Sequence, residues 1–269
     1  MFTKGRLIIA ALIALISSVS YFMKREVNPV TQEVQHVSIS PEQEVALGLQ
    51  ATPEMMQQFG GRSQNAQSRN LVLNVGKKLV QSSVARQSPY SFDFHLLADA
   101  ITINAFALPG GQIFVTEAML AKLTTEGQLA GVLGHEIGHV IARHGAEHIA
   151  KQKLTQGLTG AAIIASYDPS NPNTRNTAAV ALLLGQLVNM KFGRNDELES
   201  DKWGVKLMSS AGYDPNAMLA VMNVLQDAAK GPRPPEFFST HPNPDNRLER
   251  IQEVIQEEFP GGAPIALID

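Results

Sequence analysis

The stretch Gly134-His135-Glu136-Ile137-Gly138-His139-Val140 carries two histidines four residues apart, with a glutamate directly after the first. On a helix that spacing stacks the two imidazoles on one face, with their Cβ atoms about 6 Å apart. One tetrahedral zinc can accept a ring nitrogen from each, and zinc, one ion per chain, is the metal these donors imply. Glu136 can reach the remaining open position, take a proton from an attacking water and deliver it to the leaving amine. A pair of ordinary hydrogen-bonded core histidines would carry the same letters. Against that, Leu129, Val132, Leu133, Ile137, Val140 and Ile141 form the apolar face of a core helix. Polar groups in such a helix are costly unless they are paired or bind a metal.

A hydrolytic zinc site needs a third protein ligand. The extended histidine motif would require glycine at position 142 and histidine at position 145, where the chain has Ala142 and Gly145. His144 and His148 fall on another face of the helix and are expected to be solvent-facing or capping residues. Downstream, Asn195-Asp196-Glu197-Leu198-Glu199-Ser200-Asp201 opens an acid-rich helix. Glu197 and Asp201 share one face. The first is the expected ligand, and the second is expected to hold the outer N–H of a ligand histidine and fix its tautomer. Glu199 points about 200° away from Glu197 and is the second candidate. Acids are favoured at any helix N-terminus, so this cluster takes its meaning from the histidine pair upstream.

These residues need two long helices and a small sheet to position them. Ser40-Pro41-Glu42 is a helix start, and Gly60-Gly61 ends that helix or its successor. A second helix spans Asn65 to Val84, with Leu71, Val75, Leu79 and Val80 near helical spacing. Alternation from Phe92 to Ala98 predicts a strand. Ile101 to Leu108 and Gln112 to Thr116 predict two more, joined by Pro109-Gly110-Gly111. Helices follow over Thr125–Lys151, Asn176–Met190, Asp196–Ala211, Pro215–Ala229 and Asn243–Glu258, with a loop over Asp168–Asn173. Ala161–Ala165 and Ala178–Val188 are apolar but too short to span a bilayer, so they are expected core helices. The fold class is α+β and zincin-like: mainly helical, with a small β-sheet.

Four motifs, in order, resemble the HtpX/BepA-like zinc metalloendopeptidases, peptidase family M48. Asn104-Ala105-Phe106-Ala107-Leu108-Pro109-Gly110-Gly111-Gln112-Ile113-Phe114-Val115 is similar to the family's strand pair ahead of the active helix. His135 to His139, continuing through Ala142-Arg143-His144, resembles its zinc helix. Glu197 to Asp201 fits its E-x-x-x-D, with Ser200 where the family usually has alanine. Gly212-Tyr213-Asp214-Pro215 and Ser239-Thr240-His241-Pro242, with Arg247 beyond, fit its C-terminal motifs. The resemblance covers about residues 40 to 258. It implies that His241 sits at the active-site rim, to stabilise the oxyanion or cap the metal, and that Arg247, a further catalytic residue, lies nearby, ordering that loop or meeting the tetrahedral intermediate. It also implies that Asn104, Ala105, Phe106 and Ala107 bind peptide substrate as an added strand. From the residues alone, His241 would be a surface histidine and Asn104 to Ala107 an ordinary core strand.

The N-terminus carries an address. Lys4 and Arg6 precede a wholly apolar run from Leu7 to Ile16, which Ser17, Ser18 and Ser20 weaken before Tyr21, Phe22 and Met23. This is expected to be an uncleaved signal anchor over residues 1–25, giving single-pass membrane attachment. Cleavage after Ser20 and export to the periplasm or cell exterior is the alternative. Residues 26–40 read as a linker, 41–259 as the metallopeptidase domain and 260–269 as a loose tail. The 269 residues are 44% hydrophobic and 17% charged, and the net charge of −3 excludes a nucleic-acid binder. The absence of cysteine excludes thiolate metal sites and thiol nucleophiles. The expected activity is hydrolysis of protein or peptide substrates in membrane or envelope quality control. A chaperone-like assembly factor with a latent zinc site is the rival. An intramembrane prenyl-protein protease is disfavoured, because its chamber would need several spanning segments.

Overall fold

Two changes of residue period, from helix to strand and back, build the frame under the histidine pair. The computed structural model describes residues 4–166, 192–232, 234–243, 246–262 and 267–268. Its elements are α1 (Lys4–Met23), β1 (Arg25–Val27), β2 (Val34–His36), α2 (Pro41–Gln58), α3 (Ala66–Gln81), β3 (Asp93–Leu97), β4 (Ala105–Leu108) and β5 (Gln112–Thr116). There follow α4 (Glu117–Leu120), α5 (Glu126–Ile141), α6 (His144–Ser166), α7 (Arg194–Ser210), α8 (Asn216–Ala229), α9 (Phe237–Thr240) and α10 (Arg247–Glu258). The fold is α+β and mostly helical. The expected helix Asn176–Met190, the loop Asp168–Asn173 and the apolar stretch Ala178–Val188 lie outside the described residues.

The main sheet has the order β3-β5-β4, with β5 parallel to β3 and antiparallel to β4. Every residue of the central strand β5 is buried. Ile113 and Val115 face the main core with α3 and α5, while Phe114 faces a smaller core with Ala51 and Met55 of α2 and Phe59 just beyond it. The β4–β5 turn uses Gly110 and Gly111 at φ +83° and +103°, a region that disfavours side chains. Glycine is also needed there because α2 lies on the turn: a Cβ at Gly110 would sit 2.4 Å from the Val45 Cα.

Helix α5 is buried from Gly127 to Ile141, and α7 crosses it in near backbone contact. A Cβ on Gly138 would lie 2.8 Å from the Ser200 carbonyl oxygen, and one on Gly134 would lie 3.3 Å from the Gly204 Cα. The small residues on both helices let the N-terminal turn of α7 reach the histidines of α5.

Several expectations are corrected. The helix expected over Thr125–Lys151 breaks after Ile141, because Arg143 takes a left-handed φ of +58° and α6 restarts at His144. The strand expected from Ile101 starts only at Ala105; the Asp99 carboxylate accepts from the Ile101 and Thr102 backbone N–H groups and folds that stretch into a turn. The helix expected from Asn243 begins at Arg247. The stretch read as a linker holds the β1–β2 ribbon. It docks through buried Asn28, whose side-chain amide donates to Gln35 and to the Ile141 carbonyl. Ile268, in the stretch read as a loose tail, exchanges backbone hydrogen bonds with Gly212 and Asp214.

At the N-terminus the expected helix is present as α1, packed along α6, with Leu12, Leu15, Ile16 and Phe22 exposed. Among the described residues, however, no helix is long and apolar enough to cross a membrane. The basic start and the serines after Ile16 shorten the uninterrupted apolar stretch.

Candidate metal centre

Helix α5 presents His135, Glu136 and His139, the first turn of α7 presents Glu197 and the next turn Asp201, and the end of α9 brings His241. With Arg247 from α10, all seven are buried. The His135 and His139 Nε2 atoms are 3.1 Å apart, and His241 Nδ1 is 3.3 Å from His135 Nε2. The Glu197 carboxylate lies 3.5 Å from His135 Nε2, 3.4 Å from His139 Nε2 and 3.1 Å from His241 Nδ1. One ligand atom from each of His135, His139, Glu197 and His241 falls within 4.8 Å of every other.

A second layer of contacts orients these groups. His135 Nδ1 is 2.8 Å from Asp201 Oδ1. Arg247 grips that aspartate in a fork, with Nε donating to Oδ2 at 2.6 Å and Nη2 to Oδ1 at 2.8 Å. Arg247 Nη1 lies 3.2 Å from Glu197 Oε2. The guanidinium therefore meets two carboxylates on one face of α7. On the other side, His139 Nδ1 is 2.9 Å from His144 Nδ1, and His144 Nε2 is 3.3 Å from Glu199. With His139 Nε2 free for a metal, its Nδ1–H donates to His144, which passes its own Nε2–H to Glu199.

His144 thus corrects the expectation of a solvent-facing residue: it is buried against a candidate ligand. Its aim depends on the left-handed Arg143, which no helical period reveals. His148 stays partly buried and pairs with Asp196 at 2.9 Å. Glu199 stands off the donor cluster, as its helical angle predicts. Asn104, Phe106 and Ala107 line the cavity beside His139 and His241. Ala105 faces the core.

The donor set fits a divalent cation. Both Glu136 carboxylate oxygens and His241 Nε2 are buried without a hydrogen-bond partner, while Glu197 Oε2 has only the Arg247 ion pair and His135 beside it. Orphaned buried polar atoms are rare, and each is costly. Here the orphans gather around one point with three ring nitrogens, which is the demand that a cation and a reacting water would meet. The charge balance agrees. Burial works against an ionised Glu197, but His241, His135 and His139 outweigh it and hold the carboxyl well below its ordinary range. Burial pushes His139 well below its usual value, leaving a neutral donor. For His135, burial opposes the charge, but Asp201 and Glu197 prevail and raise it to about 9. Burial raises Glu136, against the pull of His241, His135 and Arg247.

A model of Peptidase family M48 matches residues 66–255. The mitochondrial metalloendopeptidase OMA1 of Schizosaccharomyces pombe is 34% identical over 243 residues, covering 89% of this chain and 69% of that protein. The beta-barrel assembly-enhancing protease of Escherichia coli is 33% identical over 186 residues, covering 65% of this chain and 36% of that one. The mitochondrial metalloendopeptidase OMA1 of Bos taurus is 33% identical over 175 residues, covering 60% of this chain and 32% of its own. The chain thus spans about two thirds of the first relative and about a third of the other two. The matched region contains both crossing helices and all four converging donors, so the chain belongs to peptidase family M48 and is a zinc metalloendopeptidase.

Proposed function

We propose that His135, His139 and Glu197 hold the zinc and that Glu136 is the general base and acid for peptide-bond hydrolysis. Bound zinc supplies Lewis acidity, polarising a scissile carbonyl and acidifying water. The chain's own residues do the rest. Glu136, its carboxylate without a hydrogen bond and 3.6 Å from His241 Nε2, accepts the water's proton and returns it to the departing amine. Asp201 and Arg247 are positioning residues: one fixes His135, and the other fixes Asp201 and Glu197. The carrying observation is the convergence of the two histidines and Glu197 beside an unpartnered buried glutamate.

Substrate enters as an extended strand on β4. Thr116 donates its backbone N–H to the Asn104 carbonyl, so by antiparallel alternation the main-chain groups of Ala105 and Ala107 point away from β5. That edge can pair with a peptide. We assign catalysis to the domain read over residues 41–259, onto which the β1–β2 ribbon docks, with α1 as the membrane-contacting element. Apolar side chains exposed along α1 support that contact, as does its retention through packing on α6. The relatives' names, a mitochondrial metalloendopeptidase and a protease that enhances β-barrel assembly, support a role in membrane or envelope protein quality control.

Full-length protein in detergent should bind one zinc and cleave casein. A chelator should stop cleavage and added zinc restore it. A zinc-loaded chain without chelator-sensitive proteolysis would reject the reading.

A second reading has one observation in its favour. His241 Nδ1 lies as close to the cluster as the expected ligands do. As a fourth ligand it would fill the position the water needs and make the site latent, as an assembly factor with a silent metal centre would require. His241→Ala separates the two: a latent site gains casein hydrolysis, while a site that uses His241 in catalysis loses it.

A further inference from the structure

A cavity of a different character lies where α1 meets α6. It is lined by Ser17 and Ser20 of α1, by Lys24 just beyond it, by Ser38 after β2, and by Lys153 of α6. No carboxylate lines it, and neither lysine has an ion-pair partner among the described residues. The Ser38 hydroxyl is buried there without a hydrogen-bond partner. Two cations and three hydroxyls around a space that has no anion form a receptor for a phosphate-type group.

The helix geometry says where that group comes from. A Cβ on Gly157 would fall 2.1 Å from the Ser17 hydroxyl, so the helices are in close contact at that level. Further along α1, Ser20 and Lys24 stand beside Lys153 and Leu154, so the two helices run antiparallel. Their uncharged stretches, Leu7–Met23 in α1 and Leu154–Ser166 in α6, therefore lie alongside each other on the same side of the lysine pair. On α1 that side exposes Leu12, Leu15, Ile16 and Val19. An exposed apolar face on α1, capped by aromatic residues and lysines, is what a lipid interface accommodates, with the cations at headgroup depth. The mouth is also held in shape. Tyr21 stacks on His36 at 4.6 Å, and the Lys24 carbonyl accepts from the Val37 N–H at 3.2 Å.

We propose that this cavity holds the phosphate of an anionic phospholipid headgroup, with Lys24, Lys153 and Ser38 as its binding groups and the apolar face of α1 against the acyl chains. The proposal rests on the membrane contact of α1 put forward above. It adds a specific lipid class and a seat for it.

The test is native mass spectrometry of the full chain released from micelles doped with phosphatidylglycerol or phosphatidylcholine, alongside flotation with vesicles of each lipid. Phosphatidylglycerol should be retained in preference. Lys24→Gln/Lys153→Gln should cut that retention by about thirtyfold, at roughly 1 kcal/mol per lysine. Ser38→Ala should cut it severalfold with no change of charge. The remote exposed pair Lys77→Gln/Lys122→Gln should leave it unchanged, and zinc content should be intact in every variant. Equal retention of the two lipids, or equal loss in the remote variant, would overturn the site. Binding of inorganic phosphate by the same residues with no lipid preference would also overturn it, reassigning the cavity to a soluble anion. Failure to float with either vesicle would remove the membrane contact itself. Flotation with both equally would keep that contact and remove only the headgroup site.

Discussion

Two ionic clusters flank the junction of α5 and α6, and they differ in one respect. The metal centre gathers His135, Glu136, His139, Glu197 and His241, and leaves several of their buried polar atoms without partners. The second cluster centres on Arg143. Its Nε donates to Glu44 at 2.7 Å, its Nη2 donates to the Ile39 carbonyl at 2.9 Å, and its Nη1 meets Glu26. Tyr90 donates its hydroxyl to Glu44 at 3.0 Å. No member of this second cluster is an orphan. Both clusters bury charge at a cost. The one with its hydrogen bonds closed reads as structural, and under the proposed function the one left open has its bonds to make with a metal, a water and a substrate.

The largest effect should come from the open cluster. Glu136→Gln keeps the shape but replaces one acceptor oxygen with an NH2 donor and removes the proposed proton carrier. Proteolysis should fall by at least about 10²–10⁴-fold while zinc stays bound, measured as casein turnover against metal content. Full activity in that variant would erase the distinction between the clusters.

The closed cluster should respond in stability rather than in chemistry. Arg143→Ala would leave Glu44 buried and unpaired, at a cost of about 3–5 kcal/mol in denaturant unfolding. The loss has a pH signature. Burial, against the pull of Arg143, raises Glu44 from an ordinary value of 4.5 to about 7. The folded chain therefore holds a proton there that the unfolded chain releases between those values. Stability from this group is greatest below about pH 4.5 and declines as pH rises to about 7. Without Arg143 the window extends upward, so the variant should be weaker at pH 8 than at pH 6. A pH-independent loss would mean that Glu44 carries no charge in either form.

The same contrast explains what the sequence made legible. His135, Glu136 and His139 belong to one helical turn, and Glu197 and Asp201 to another, so local spacing was enough to single them out. The partners of Arg143 lie 99 residues away at Glu44 and 117 away at Glu26. No local period encodes such pairs. The apolar pattern also runs through Ala142 and Arg143 without glycine or proline to mark a stop, which is why α5 and α6 read as one helix. That single break re-aims His144. The β1–β2 ribbon escaped because strands of three polar-rich residues show no alternation to count. The crossing of α5 and α7 was legible only in part: Gly134, Gly138, Ser200 and Gly204 are visible as small residues, but their facing is a tertiary fact.

The smallest effect expected is also the sharpest test of where the open cluster ends. His144 and His148 are one helical turn apart on α6, and each contacts an acid of α7: Glu199 for the first, Asp196 for the second. Only His144 touches a candidate ligand, through His139 Nδ1. Removing such an outer partner typically weakens metal binding by about 10–100-fold, because the ligand ring loses its fixed tautomer and orientation. His144→Ala should therefore lose zinc to a competing chelator by that factor, with the fold intact. His148→Ala, a change of the same size on the same helix, should shift it by less than about threefold, the scale of a partly exposed pair. Equal shifts would place the boundary of the metal centre beyond His148. No shift in either would confine it to the donors themselves and leave the His139–His144 contact a packing feature.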